Sequence, residues 1–333
     1  MRVISKSFAL QLSVACTALL VSCTVDPPTT QSDPTDHASQ LPAEIAQVVQ
    51  HPQAAVCNGG KFRCFARIRT DESGRPQTFA TPQGLGADDL ASAYSIDTTL
   101  EPGATIAIVG AYGYSALESD LGTYRSQYGL PACTKANGCL KIVNQTGATS
   151  PLPTGNTDWN EETSLDVDMA SAACPHCKLL VLQADDDQGD GLFIANATAA
   201  SMGATVITNS WGAPEGTFGT VSDTETYFNH SGVAVFVAAG DDGYNDGGQG
   251  PDYPATSAYT IGVGGTSLQP SSNSRGWVEA AWNDGGSACS QNVAKPSWQT
   301  STACSKRMTS DVWRSAIRTP ASRPIWPPLA VGR

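Results

Sequence analysis

The chain has 333 residues, 40% hydrophobic and 15% charged, with 7 Trp, 9 Tyr and 8 Phe. That apolar share can build a packed core, so wholesale disorder is excluded, and the length fits one large or two ordinary domains. The 31 Asp and Glu against 19 Lys and Arg leave a net charge of −12, which repels phosphate backbones and argues against nucleic-acid binding.

The elements are read in chain order. Residues 1–23 have the pattern of an export signal: Arg2 and Lys6 give a positive start, and 8–21 an apolar run too short to span a bilayer comfortably. The run ends in Leu20-Val21-Ser22-Cys23, which looks like a bacterial lipobox with Cys23 as the lipidated first residue. The expected location is therefore secreted, or lipid-anchored at the outside of a bacterial inner or outer membrane. Residues 24–41 are rich in Pro, Thr, Ser, Asp and Gln, a tether with nothing to bury. The whole stretch 24–80 is expected to be this tether plus a short pro-segment.

From residue 81 strands and helices alternate. Helices are expected over 88–94, 116–128, 165–173, 191–202 and 220–230, and strands over 105–109, 178–183, 204–208 and 233–237. In the second helix Leu117, Leu121, Tyr124 and Tyr128 share one face. Apolar strands separated by helices predict an α/β fold: a mostly parallel sheet with helices on both faces.

With Cys16 in the signal and Cys23 set aside for lipid, the other cysteines fall into four sequence-local pairs, 57/64, 133/139, 174/177 and 289/304. An even set in an exported chain predicts disulfides, short local loops being the easiest pairing. Cys174-Pro175-His176-Cys177 spells the C-x-x-C of a thiol oxidoreductase, which places its first Cys at the start of a helix. Here a helix precedes the motif and a strand follows it, so a structural disulfide turn is expected. No second C-x-x-C offers a zinc site.

Glu162-Thr163-Ser164-Leu165-Asp166 opens the helix expected before that turn. Residues four apart lie one turn apart on one face, so the two carboxylates can point together. Two close carboxylates share a proton, which raises one pKa and suits acid–base work at acidic pH. Three later stretches add to this pair: the strand 206–212 ending in Ser210-Trp211-Gly212, the strand from Val233 into the turn Gly240-Asp241-Asp242-Gly243, and Tyr253-Pro254-Ala255 before Gly262-Val263-Gly264-Gly265-Thr266-Ser267.

In this order, the set resembles the sedolisin family of serine-carboxyl peptidases, which have a subtilisin-like fold. The resemblance runs from about residue 81 to 312. It implies that Glu162 is the general base, that Asp166 orients and supports it, and that Asp241 stabilises the oxyanion in its protonated form. It further implies that Ser210, Trp211 and Gly212 form the edge that pairs with substrate backbone. A subtilisin-type triad needs a histidine base. The 4 histidines, His37, His51, His176 and His230, have no such context, so a carboxylate base is expected.

One part of the family pattern is missing. Its nucleophile lies in a later Gly-Thr-Ser-x-x-x-Pro segment at the start of a central helix, and no such segment follows Val312. Ser267 imitates it but is expected to end a strand, and Pro270-Ser271-Ser272-Asn273-Ser274 cannot form the helix. Residues 313–333 lose the family pattern in the manner of a frame change. The peptidase domain, 81–312, is therefore expected to be truncated and the fold incomplete in this chain. No cofactor is expected here, because the family's calcium site would lie further downstream.

The leading expectation is a serine-type endopeptidase acting on polypeptides at acidic pH through an acyl-enzyme, as a monomer with possible membrane attachment through a Cys23 lipid. Catalysis by the chain as it stands is in doubt for want of the serine. The alternatives are a non-catalytic exported peptide-binding lipoprotein, a secreted thiol oxidoreductase using Cys174 and Cys177, and a product of a damaged gene without function.

Overall fold

The computed structural model describes residues 51–77, 84–100, 103–218 and 221–315. The expected signal with its lipobox, the tether 24–41 and residues 316–333 lie outside the described residues. Three short strands come first, β1 (Gln53–Ala55), β2 (Arg63–Cys64) and β3 (Arg67–Arg69). Then follow α1 (Ala87–Tyr94), β4 (Thr105–Ala111), α2 (Leu117–Gln127), β5 (Leu140–Asn144), α3 (Thr157–Ala173), β6 (Lys178–Ala184), α4 (Gly191–Ser201) and β7 (Val206–Asn209). The remaining strands are β8 (Trp211–Pro214), β9 (Ala234–Ala238), β10 (Asp252–Tyr253), β11 (Ile261–Pro270), β12 (Trp277–Ala281) and β13 (Val312–Ser315).

The main sheet has the order β12-β11-β9-β7-β4-β6-β5, with β13 also paired to β11. All its pairings are parallel except that of β12 with β11. Successive side chains of its central strands feed opposite layers. Ala107, Val109, Leu180 and Leu182 meet α4 through Leu192, Phe193 and Ala199, while Ile108, Leu179 and Val181 meet Leu117 and Leu121 of α2 and Val167 of α3. The expected α/β class, with helices on both faces, is what these layers show.

A second sheet, β10-β8-β2, lies outside this frame. The chain leaves the main sheet after Asn209 and re-emerges as β8, which pairs antiparallel with β10 on one side and with β2 on the other. The stretch 206–212 is therefore two strands in two sheets, not one continuous strand.

Other boundaries move too. α3 begins at Thr157, eight residues before the expected start, because Asn156 caps it by accepting from the amides of Asp158 (3.0 Å) and Trp159 (3.2 Å). Glu162 therefore sits inside the helix and does not open it. The helix expected over 220–230 is two short 3₁₀ turns, Val221–Asp223 and Glu225–Tyr227. Thr224 Oγ1 donates to the carbonyl of Val221 and accepts from Tyr253 Oη, and Phe228 packs edge-on against Phe193 and Tyr253. β11 continues past Ser267 to Pro270, and β13 spans Val312–Ser315.

The disulfides join all four expected local pairs. Cys174 is the C-cap of α3, and its bridge to Cys177 closes the turn into β6. That is the wrong end of a helix for a reactive thiol.

Candidate active site

Two turns of α3 carry the acidic pair. Trp159, fully buried, anchors the helix through an indole N–H to Asp187 Oδ2 at 3.3 Å. One turn on, Glu162 is 2% exposed and points away from bulk water. Burial, then the neighbouring charge of Asp166, holds its pKa well above the ordinary carboxylate value, while the amides of Ala66 and Phe65 pull the other way. Asp166, one turn further, is desolvated and its pKa is raised to about 7; the hydroxyl of Ser210 donates to its Oδ1 at 2.6 Å and partly offsets the rise. The charge of Asp166 thus acts on Glu162 one turn away on the same helix.

Asp241 comes from the other side, at the exit of β9. Gly240 before it has φ +107, and a Cβ there would lie 2.6 Å from Asp252 Oδ2, so only glycine admits this turn beside that carboxyl. Burial raises the pKa of Asp241 to about 7 in spite of Arg67, whose Nε donates to its Oδ2 at 3.1 Å. The charge of Asp241 also reaches Glu162. The carboxylates of α3 and the β9 turn, remote in sequence, thus face one cleft.

The expected substrate edge borders that cleft. Trp211 pairs with Cys64 and Gly212 with Arg63. The carbonyl of Ser210 accepts from Phe65 N at 3.0 Å, and Trp211 Nε1 donates to Val109 O, which fixes the edge to the main sheet. Glu162, Asp166, Asp241, Ser210, Trp211 and Gly212 are brought together. Ser267 lies elsewhere, opposite Ala280 in the β11/β12 ladder and next to Leu268, which packs with Ala93 and Trp277.

Sequence reasoning missed what fills the cleft. Residues 55–67 line it as a strap. Ala66 N donates to Glu162 Oε2 at 2.5 Å, and the next residue, Arg67, bonds Asp241 and, at 2.8 Å, Asp242 Oδ1. Arg63 Nη1 donates to Asp242 Oδ2 at 2.7 Å and Nη2 to Asp246 Oδ1 at 2.5 Å, with Asp252 Oδ2 at 3.4 Å. Burial, then Asp246, raises the pKa of Asp252 to about 7. Between strap and turn remains a cavity of ≈ 390 Å³ lined by Arg63, Phe65, Arg67, Asp241 and Asp242 among others. The missed signal was alternation: Phe62, Cys64 and Ala66 are buried, while Arg63, Phe65 and Arg67 between them are half-buried, the period of a strand.

Glu162, Asp166, Asp241 and the β8 edge can now be set beside known proteins. The Subtilase family profile matches residues 126–316. This chain belongs to the subtilase family. Within it the kinship is with the sedolisins. Kumamolisin of Bacillus sp. (strain MN-32) is 32% identical over 260 residues, covering 72% of this chain and 45% of kumamolisin. Pseudomonas sedolisin, described as a serine-carboxyl proteinase and solved with pseudo-iodotyrostatin, superposes with a TM-score of 0.56 at 23% identity, covering 71% of this chain and 72% of that one, a likeness of fold. This subtilase chain spans less than half the length of kumamolisin. Among its described residues no group of three or more His, Cys, Asp or Glu is placed to hold a metal ion, and no helix is long and apolar enough to cross a membrane.

Proposed function

We propose that this chain carries the carboxylate machinery of an exported endopeptidase that acts on polypeptides at acidic pH through an acyl-enzyme. Glu162 takes the proton of a serine nucleophile and returns it to the leaving amine. Asp166 holds Glu162 in place and shares its proton, and the Ser210 hydroxyl keeps Asp166 aligned with the substrate edge. Asp241, neutral below its raised pKa, donates to the oxyanion. Substrate backbone pairs with Ser210, Trp211 and Gly212. No described residue is assigned the nucleophile's role. We place the protein outside the cell as a monomer, released or held by lipid on Cys23.

The observation that supports this reading most is that Glu162 and Asp241 are touched by consecutive residues of one peptide segment, Ala66 through its amide and Arg67 through its guanidinium. The test is hydrolysis of a fluorescent casein between pH 3 and 7 by the wild-type chain and by Glu162→Gln. A base role gives a loss on the order of 10²–10⁴-fold in the variant; equal rates in the two would sink the assignment. A second reading, an exported peptide-binding protein that cuts nothing, is favoured by the partners of Glu162, which are backbone amides of a bound segment. Peptide binding by a wild-type chain that hydrolyses nothing across that pH range would decide for it.

A further inference from the structure

Three consecutive residues tie the β8 edge to different elements. Asn209 ends β7, and its Nδ2 donates to the carbonyl of Phe236 in β9 at 3.2 Å. The hydroxyl of Ser210 donates to Asp166 of α3 at 2.6 Å, and the indole of Trp211 to Val109 O of β4 at 3.0 Å. Asn209 differs from the other two in being a carboxamide set in an apolar layer. It is 1% exposed, on the face of the sheet where Ile207 and Val235 meet Ala195 and Ala199, and Asn196 of α4 beside it is fully buried. The two carboxamides face one another: Asn196 Nδ2 donates to Asn209 Oδ1 at 2.8 Å, and Asn209 Nδ2 to Asn196 Oδ1 at 3.2 Å. Asn196 Nδ2 also donates to Leu192 O, one turn back, at 3.1 Å. Each amide group thus uses both of its protons and its oxygen. Burying two amides where two leucines would pack costs a desolvation that their hydrogen bonds do little more than offset. What the pair adds is direction, because a carboxamide bonds at set angles whereas an aliphatic contact can slide.

We infer that Asn209, clasped by Asn196, is a positioning residue of the site: it fixes the point at which the chain leaves the main sheet, and so holds Ser210, Trp211 and Gly212 in register with the turn of Asp241. This rests on the reading of those three residues as the substrate edge and of Asp241 as the group that meets the oxyanion. Asn209 stands opposite Val237, and the β7/β9 ladder ends with it. β9 itself stops at Ala238, just before Gly240 and Asp241 turn out of the sheet. One side chain therefore grips both α4 and the strand that delivers Asp241, at the residue that precedes Ser210. For the edge to slip along β9, the bonds of Asn209 to Asn196 and to Phe236 would have to break together. Ser210 would then move off Asp166 while Asp241 stayed with β9, and the carboxyls of α3 and the β9 turn would lose their common frame.

The test compares the full-length wild type with the full-length double variant Asn196→Leu/Asn209→Leu through the carboxyl ¹³C titrations of Asp166 and Asp241. Asn209→Leu alone would strand the amide of Asn196, whereas the double variant leaves neither amide orphaned and keeps the layer filled. Burial is what raises the pKa of both aspartates. If the clasp positions the edge, its loss lets water reach both carboxyls, and both titrations should move down by about half a pH unit or more. Unmoved titrations in the folded double variant would show that the clasp only packs, and overturn the inference. If the double variant does not fold, Asn196→Ala, which opens the clasp from α4 alone, takes its place: a downward move of both titrations upholds the inference, and unmoved titrations overturn it. Casein hydrolysis separates this outcome from that of the peptidase reading. Lowered titrations in the variant of a chain whose wild type hydrolyses nothing uphold the positioning role while the peptidase reading fails. Unmoved titrations beside a wild-type hydrolysis that Glu162→Gln abolishes do the reverse.

Discussion

Asp166, Asp241 and Asp252 each have a pKa raised to about 7, in every case chiefly by burial. An unfolded aspartate titrates at about 3.9. Between those values the folded chain binds more protons than the unfolded one, so these groups make stability fall as pH rises through that window. The melting temperature should be higher at pH 4 than at pH 7, and Asp252→Asn, which is neutral throughout, should flatten the profile in a calorimetric series. A profile that rises from pH 4 to 7 and is unchanged by Asp252→Asn would show that these carboxyls are solvated. Asp241 carries a second expectation. Arg67 favours its charged form, so Arg67→Ala should move its titration to higher pH, as followed by carboxyl ¹³C shifts. The acid pair Glu162 and Asp166 was legible because a helix repeats every 3.6 residues. Arg63 and Arg67 were not, because nothing in a basic residue of a tether-like stretch says which acids it will meet.

Elements carry the site through their ends and edges. α3 holds the pair rigidly because Asn156 satisfies two amides of its first turn. Asn156→Ala should cost about 1 kcal/mol in denaturant unfolding, the usual worth of an N-cap; no change would mean that water replaces the side chain. β8 shows the opposite dependence. It forms only because β10 and β2 arrive from distant parts of the chain, so local pattern could not separate it from β7. The strap is secured by Phe62, and Phe62→Ala should destabilise by about 3–5 kcal/mol, as for other buried aromatic truncations. A cost below ~1 kcal/mol in denaturant unfolding would show that the aromatic box closes without it.

At the scale of the whole molecule, the long loop between β12 and β13 is pinned by one buried cation. Arg307 is fully buried, bonds Asp311 through both terminal nitrogens at 2.6 and 2.7 Å, and donates to the carbonyls of Ser257 and Thr260, both at 3.1 Å. Asp311 in turn accepts from Gly262 N at the start of β11. Arg307→Ala leaves a carboxylate enclosed without its partner and should cost about 3–5 kcal/mol, measured by chemical denaturation. A loss near zero would mean that water enters to replace the guanidinium.

What the sequence by itself determined is what depends on near neighbours. Apolar strand and helix periodicity set the α/β layers, cysteines near in sequence made local loops the easiest pairing, and Glu162 and Asp166 share a helix face. The ordered motifs carried the family. Only the tertiary structure decided which groups meet across the cleft: that Asp241 faces α3, that Ser210 bonds Asp166, and that residues 53–69 lie on β8 with Arg67 on Asp241. Those contacts join residues as far apart as 67 and 241. A contact between remote residues is set by how whole layers stack, and no periodicity within a short window records it.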